Sequence, residues 1–283
     1  KRLLLIVLPL LLIVGCSSPE PINYEETLNE RDGVFYTKDT NKPYSGPVFY
    51  IYENGQNKQE GYFKEGMMNS HWTYYFENGK KNCEGSYLNG DGTDSGITGI
   101  PRNGRVGKWT FWYDNGQMNS ESTYKDGKLD GLVTSWYENG QKSYEGTFKD
   151  GKQDGLRTDW YENGKKKREG TYKNGKKDGL VTSWYENGQK MFEGTYKDEK
   201  EDGLWTFWYE NGQKEWERTY KEGGSYSLDG LETEWYENGQ KRLEGTYKDG
   251  KKDGLWTEWY GNGQKKSEET WKEGEFVSEL DGL

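Results

Sequence analysis

The sequence predicts an all-β protein, an elongated repeat array of antiparallel β-hairpins forming a twisted single-layer meander sheet. Three observations carry this reading. The phrase Trp136-Tyr137-Glu138-Asn139-Gly140-Gln141-Lys142 returns with small edits at Trp112, Trp160, Trp184, Trp208, Trp235 and Trp259, with weaker copies at Ile51 and Tyr75. Most starts are 24 residues apart, with a step of 37 from Tyr75 to Trp112 and of 27 from Trp208 to Trp235. Such fixed-period self-similarity marks stacked units that cannot bury a face alone. Finally, two strand-like runs and two Gly turns fill each unit, leaving no room for a helix and no helical periodicity.

In the unit Gly131 to Asp154, the β-branched, small and aromatic residues Thr134 to Tyr137 compose a strand. Asn139-Gly140 is a hairpin signal, and a type I′ turn there would use positive φ at both residues. A return strand runs from about Gln141 to Lys149 and ends at Asp150-Gly151. If Glu138 pairs with Gln141, Tyr137 faces Lys142, Ser135 faces Tyr144 and Val133 faces Gly146. The same register sets Phe207 against Trp216, Trp205 against Arg218 and Trp256 against Glu269. Elsewhere it lays a large residue over a strand glycine, with Gly85 beneath Trp72 and Gly194 beneath Val181. Neighbouring residues point to opposite faces, so both faces carry aromatics bordered by Lys, Glu, Thr and Gln.

The pattern Trp-Tyr-Glu-Asn-Gly-Gln-Lys-x-x-Glu-Gly-Thr-Tyr-Lys-Asp-Gly-Lys-x-Asp-Gly-Leu resembles the bacterial variant of the MORN repeat (MORN_2-type), a β-hairpin module, over about Gly46 to Trp271. The resemblance implies a hairpin array, and proteins similar to it are often lipoproteins or small repeat proteins. Some are labelled as the antitoxin component of a toxin–antitoxin pair. Ser70, Ser122, Arg218 and Glu269 stand at Gly positions, and Glu199 replaces the second-turn Gly, marking places where hairpins are expected to be irregular.

Four segments follow from this. Residues 1–15 combine the basic Lys1-Arg2 with an apolar run from Leu3 to Val14, too short for a membrane span, which needs roughly 20 residues. Ile13-Val14-Gly15-Cys16 resembles the lipobox of bacterial lipoproteins, which makes Cys16 the lipidation site; a cleaved secretory signal is the alternative. Ser17 after it resembles an outer-membrane sorting signal. Residues 16–30, with Pro19 and Pro21, read as a tether, and 31–47 as an atypical cap of the array. Residues 48–283 form the array of about nine units, with a loose loop insertion near 88–106 and a smaller one at 223–228. No initiator Met is present, and Asp281-Gly282-Leu283 repeats the opening of a unit; an uncapped edge and a truncated chain are both open readings.

Composition narrows the function. Charged residues make up 31% and aromatics 16%, including 13 Trp and 23 Tyr, enough to bury surface between neighbours. The net charge is −10, or −12 without the charges of Lys1 and Arg2. Lys and acids interleave, so no basic stripe forms, and nucleic acid is not an expected partner. Cys83 has no partner for an internal disulfide. The one histidine, His71, lacks a nucleophile or metal partner, and carboxylates recur in like environments, unsuited to an acid–base pair. Neither a catalytic site, a metal nor a cofactor is therefore expected. What remains is surface: Trp112, Trp136, Trp160, Trp184, Trp208, Trp235 and Trp259 are the candidate binding face of a non-enzymatic scaffold at the cell envelope. A protein partner is expected, with the membrane engaged through lipid on Cys16. Peptidoglycan or another glycan is the alternative ligand, in the manner of choline- and cell-wall-binding hairpin repeats, and immunity against a toxin is a third.

Overall fold

A computed structural model describes residues 19–93, 99–221 and 228–280, with the backbone alone at Leu280. The expected leader 1–15 and Cys16 lie outside these residues, as does most of the second insertion. From Gly46–Ile51 to Glu275–Leu280 each strand pairs antiparallel with the next in sequence, and the 21-stranded sheet stays open rather than closing into a barrel. The expected all-β meander is thus the observed fold. Lys251–Lys252 and Gly254–Trp259 are two segments of one strand line, both paired with Lys241–Lys248.

The two turns of each unit differ. At Asn139-Gly140, the Gly140 amide donates to the Tyr137 carbonyl (2.9 Å) and the Tyr137 amide to the Gln141 carbonyl (2.8 Å). Only Gly140, at φ +82°, is left-handed. This is a three-residue loop, a type I turn closed by a glycine bulge, not the expected type I′ turn. Tyr137 consequently faces Gln141 instead of Lys142. Trp136 faces Lys142, and Ser143 bulges out before the pairing resumes at Ser135 and Tyr144. The type I′ turn sits at the other corner, where Asp150 (φ +49°) and Gly151 (φ +81°) join the paired Lys149 and Lys152. Glu199 adopts the same left-handed backbone at φ +70°, and Ser70 does so at φ +59°.

Beyond the bulge the expected register holds: Val133 faces Gly146, Phe207 faces Trp216, Trp205 faces Arg218 and Trp256 faces Glu269. The Phe207 and Trp216 rings stack at 3.9 Å. The departures Ser122, Arg218 and Glu269 leave this register intact. The glycine cover runs differently from expectation. Trp72 lies over Gly61, Trp109 over Gly85, Trp205 over Gly194 and Trp256 over Gly245, so each ring reaches back to the preceding hairpin instead of across its own. The indole N–H fixes that direction by donating to a carbonyl of the preceding hairpin, Ser86 for Trp109 and Thr195 for Trp205, both at 3.2 Å. Where the glycine is replaced its cover changes too: Ser122 meets Val133, and Arg218 forms an ion pair with Glu232.

These covering residues define a core face, shared by the positions of Val133, Ser135, Tyr144, Gly146 and Phe148. Its N-terminal part is a buried cluster of Val48, Phe63, Met68, Trp72, Tyr74, Cys83, Tyr87 and Trp109. Burial pushes the Cys83 thiol up to about 12. Two segments close over this cluster. Ile22–Arg31, which covers part of the expected tether 16–30 and the first residue of the expected cap, is folded: Ile22–Asn23 pairs parallel with Val48 and Phe49, Tyr24–Thr27 makes a helical turn, and Leu28–Arg31 forms a hairpin with Val34–Thr37. The first insertion, expected as a loose loop, also contributes. Ile100 is buried, the Tyr87 hydroxyl donates to the Pro101 carbonyl (2.7 Å), and the Arg105 guanidinium lies 4.3 Å from the Trp109 ring while donating to the carbonyls of Ile100 and Pro101. Overpacking a core site costs about 1–3 kcal/mol, whereas a left-handed non-glycine residue costs about 1–2 kcal/mol. Gly194→Ala, whose Cβ would overlap the Trp205 ring, should lower the midpoint of a near-ultraviolet circular dichroism melt, and Glu199→Gly should raise it. An unchanged melt for Gly194→Ala would show that the ring swings aside freely.

Candidate binding face

The opposite face repeats with little variation. Leu132, Thr134, Trp136, Lys142 and Glu145 occupy it in the representative hairpin. Residues three apart on a regular strand point to opposite sides, but the bulge at Ser143 restores Lys142 and Glu145 to one side. Their ion pair measures 2.5 Å, and the Lys142 Nζ lies 5.7 Å from the Trp160 ring of the next hairpin. Lys166 repeats this with Glu169 (2.5 Å) and Trp184 (5.8 Å), and Lys190 with Glu193 (2.6 Å) and Trp208 (5.5 Å). Threonine completes each cell: Thr158 donates to Glu169 (3.3 Å) and Thr182 to Glu193 (3.2 Å). Each such pair is partly exposed and contributes at most about 1 kcal/mol. Neutralisation within each hairpin matters more, because it removes any net cationic stripe.

The seven tryptophans read from the sequence, Trp112 through Trp259, stand in this one row, each half-buried at the end of its first strand beside the loop. A second row, which the sequence reading missed, is Leu132, Leu156, Leu180, Leu204, Leu231 and Leu255, about half exposed, with 52% for Leu132 and 49% for Leu255. Its signal was present: the Leu of each Asp-Gly-Leu stands two and four residues before the Thr and Trp of the same face. His71 occupies the position of Leu132 in its own hairpin, its imidazole 3.6 Å from the Glu84 carboxylate.

The loop edge explains the remaining residues of the repeated phrase. The Tyr137 hydroxyl donates to the Trp160 carbonyl (2.6 Å), Tyr161 to Trp184 (2.8 Å) and Tyr185 to Trp208 (2.9 Å). The Asn139 side chain accepts from the Gln141 amide (2.9 Å) and donates to the Glu162 carbonyl of the next loop (2.9 Å). Asn163 and Asn187 donate likewise to Glu186 (3.2 Å) and Glu210 (2.8 Å). Tyr and Asn are therefore stitches between hairpins.

Stacked hairpins with two extended faces and a stitched loop edge define a β-hairpin repeat protein. The chain belongs to the MORN repeat variant family, whose repeat matches residues 68–89, 105–126, 129–150, 153–174, 177–198, 201–222, 228–249 and 252–273, more than half of the chain. No curated protein matches it. Among solved structures it is similar to the Tc holotoxin pore of Photorhabdus luminescens, at 10% identity and a TM-score of 0.22, over 84% of this chain and 13% of that one. It is also similar to a TcdB2–TccC3–Cdc42 structure, at 9% identity and a TM-score of 0.22, over 86% of this chain and 14% of that one. The chain thus spans a small part of the length of both.

A single hydrogen bond is worth about 1 kcal/mol. Tyr161→Phe should therefore speed amide hydrogen exchange in the loops at 161–165 and 185–189 together. Tyr260→Phe, at an exposed residue whose hydroxyl meets no carbonyl among the described residues, should leave exchange unchanged. Equal effects of the two would mean that the stitches add nothing.

Proposed function

We propose that the chain is a non-enzymatic, membrane-anchored repeat scaffold that mediates protein–protein interaction at the bacterial cell envelope. The observation that carries this reading is the continuous Trp row beside a half-exposed Leu row, on one face of an open sheet. Extended repeat surfaces of this kind suit elongated partners that share contact over many units. Tryptophan is also the residue most enriched where binding energy concentrates. The charge pairing of Lys142 with Glu145 and its repeats argues against nucleic acid as partner. The anchor rests on Lys1-Arg2, the apolar run to Val14 and Cys16, whose lipid would hold the array at the membrane.

Two measurements test the two halves. Cys16→Ala should remove labelled fatty acid and release the protein from the membrane fraction; retention there would end the anchor reading. The chain should capture a protein from envelope extract, and Trp160→Ala with Trp184→Ala should weaken capture at least tenfold while near-ultraviolet circular dichroism of the other units persists. Capture of a toxin would make the scaffold an immunity protein. Retention by purified peptidoglycan with no protein captured would replace it with a cell-wall-binding array.

A further inference from the structure

The tryptophan face is built from cells in which a lysine meets a glutamate and a ring of the next hairpin, and the first hairpin builds its cell differently. Gly46–Ile51 and Asn57–Lys64 pair Phe49 with Glu60 and Ile51 with Asn57, the register that sets Thr134 against Glu145 and Trp136 against Lys142. Glu60 therefore stands at the position of Glu145, with Asn57 at that of Lys142 and Tyr62 at that of Thr147. Tyr75 of the next hairpin takes the place of Trp160, since it faces Lys81 as Trp160 faces Lys166. Lysine is the missing part.

From Glu84 to Glu268, every glutamate at this position is paired with a lysine ammonium. Even where Met118 replaces the lysine, Lys108 of the paired strand reaches Glu121 instead. Glu60 is the exception, and makes no ion pair among the described residues. Its two oxygens accept from neutral donors, the Tyr75 hydroxyl at 2.5 Å and the Asn57 amide at 3.3 Å. Burial, and then the bond to Glu60, push the Tyr75 hydroxyl up to about 12, so it stays uncharged at neutral pH. The Glu60 carboxylate is thus half-buried with its charge unmatched. It also borders open space, a depression of about 680 Å³ lined by Phe49, Tyr62, Pro21, Pro47 and His71, among others. Phe49 and Tyr62 stand where Thr134 and Thr147 stand in the representative hairpin, so two aromatic residues wall a site that is small and polar elsewhere. Glu20 lines it as well, exposed and without an ion pair among the described residues.

We propose that this depression binds a lysine side chain of a partner protein, with the ammonium on the Glu60 carboxylate and the alkyl stem against Phe49, Tyr62 and Pro47. The chain's own cells argue for the occupant, because a lysine ammonium is what the matching glutamate holds in every later hairpin. A lysine stem covers apolar surface while its charged end takes a charge-assisted hydrogen bond, and complementary charge selects it over neutral side chains. The site rests on the scaffold reading for its partner and deepens it, naming one contact chemistry at the N-terminal end of the same face.

The probe is the blocked tripeptide acetyl-Gly-Lys-Gly-amide, titrated into the isotopically labelled full chain and followed by amide chemical shifts. Saturable shifts at Glu60, Tyr62 and His71 are expected, and Glu60→Gln should weaken binding about tenfold, as loss of a charged hydrogen bond does. Asn57→Lys, which gives the first hairpin a lysine of its own, should block the site, and serves if Glu60→Gln lowers the melting temperature. Glu145→Gln, whose carboxylate is already paired with Lys142, should change nothing. Absence of saturable shifts overturns the proposal, as does binding left intact by Asn57→Lys. Equal binding of the same peptide with norleucine for lysine would overturn it by showing an apolar cleft only. Equal weakening by Glu145→Gln would do so by showing general charge attraction. Binding of choline there, with none of the lysine peptide, would replace it with the cell-wall reading. The titration contains no protein partner, so its outcome is independent of whether Trp160 and Trp184 capture one.

Discussion

The joint between one hairpin and the next is the contact on which the whole molecule depends. An isolated two-stranded hairpin is marginal in water, and this chain has few aliphatic side chains with which to build a separate core. The joint solves this with three parts. A strand ladder runs between neighbours, a large side chain reaches back over the preceding glycine, and loop side chains stitch the edge. Fully burying an aromatic or large aliphatic side chain contributes roughly 1.5–3 kcal/mol, so Trp205 over Gly194 outweighs the neighbouring charge pairs. Where no tryptophan is available the joint is rebuilt with other chemistry, as with Arg218, Glu232 and Glu234.

The two faces consequently have different characters. Trp136, Lys142 and Glu145 recur with few changes, such as Met118 at the position of Lys142, and serve the same contacts in most units. The core-face positions vary: the site of Val133 holds Trp109, Arg157, Trp205, Glu232 and Trp256 in other hairpins, and that of Ser135 holds Phe111, Asp159, Phe207 and Glu234. A uniform face suits a partner that is itself periodic or extended. A varied face distinguishes one location from another along the array.

Much of this was legible in the residues because a period of 24 exposes its own exceptions. Strand identity and the register of Ser135 with Tyr144 followed from alternation and the turn position. The turn types did not, because Asn139-Gly140 and Asp150-Gly151 present the same kind of dipeptide. The direction of tryptophan cover was equally hidden: Trp72 borders Gly61 and Gly85, and only the indole N–H decides between them. The folding of Ile22–Arg31 and of Ile100 onto the core face could not be read, because those segments do not repeat and their contacts are long-range. The tryptophan row emerged directly from the repeat.

The Tyr and Asn stitches all point one way. Tyr137 and Asn139 give hydrogen bonds to carbonyls that come later in the chain, as do Tyr161 and Asn163. The seam has a polarity. As the polypeptide leaves the ribosome, a completed hairpin already holds both donors in place, and the next hairpin needs only its carbonyls to join. Such a chain can fold behind the ribosome one unit at a time without waiting for distant sequence, which limits the time any strand edge stays open. The same polarity lets a unit be duplicated or deleted with its donors and acceptors still matched, so the length of the array is free to drift by whole repeats.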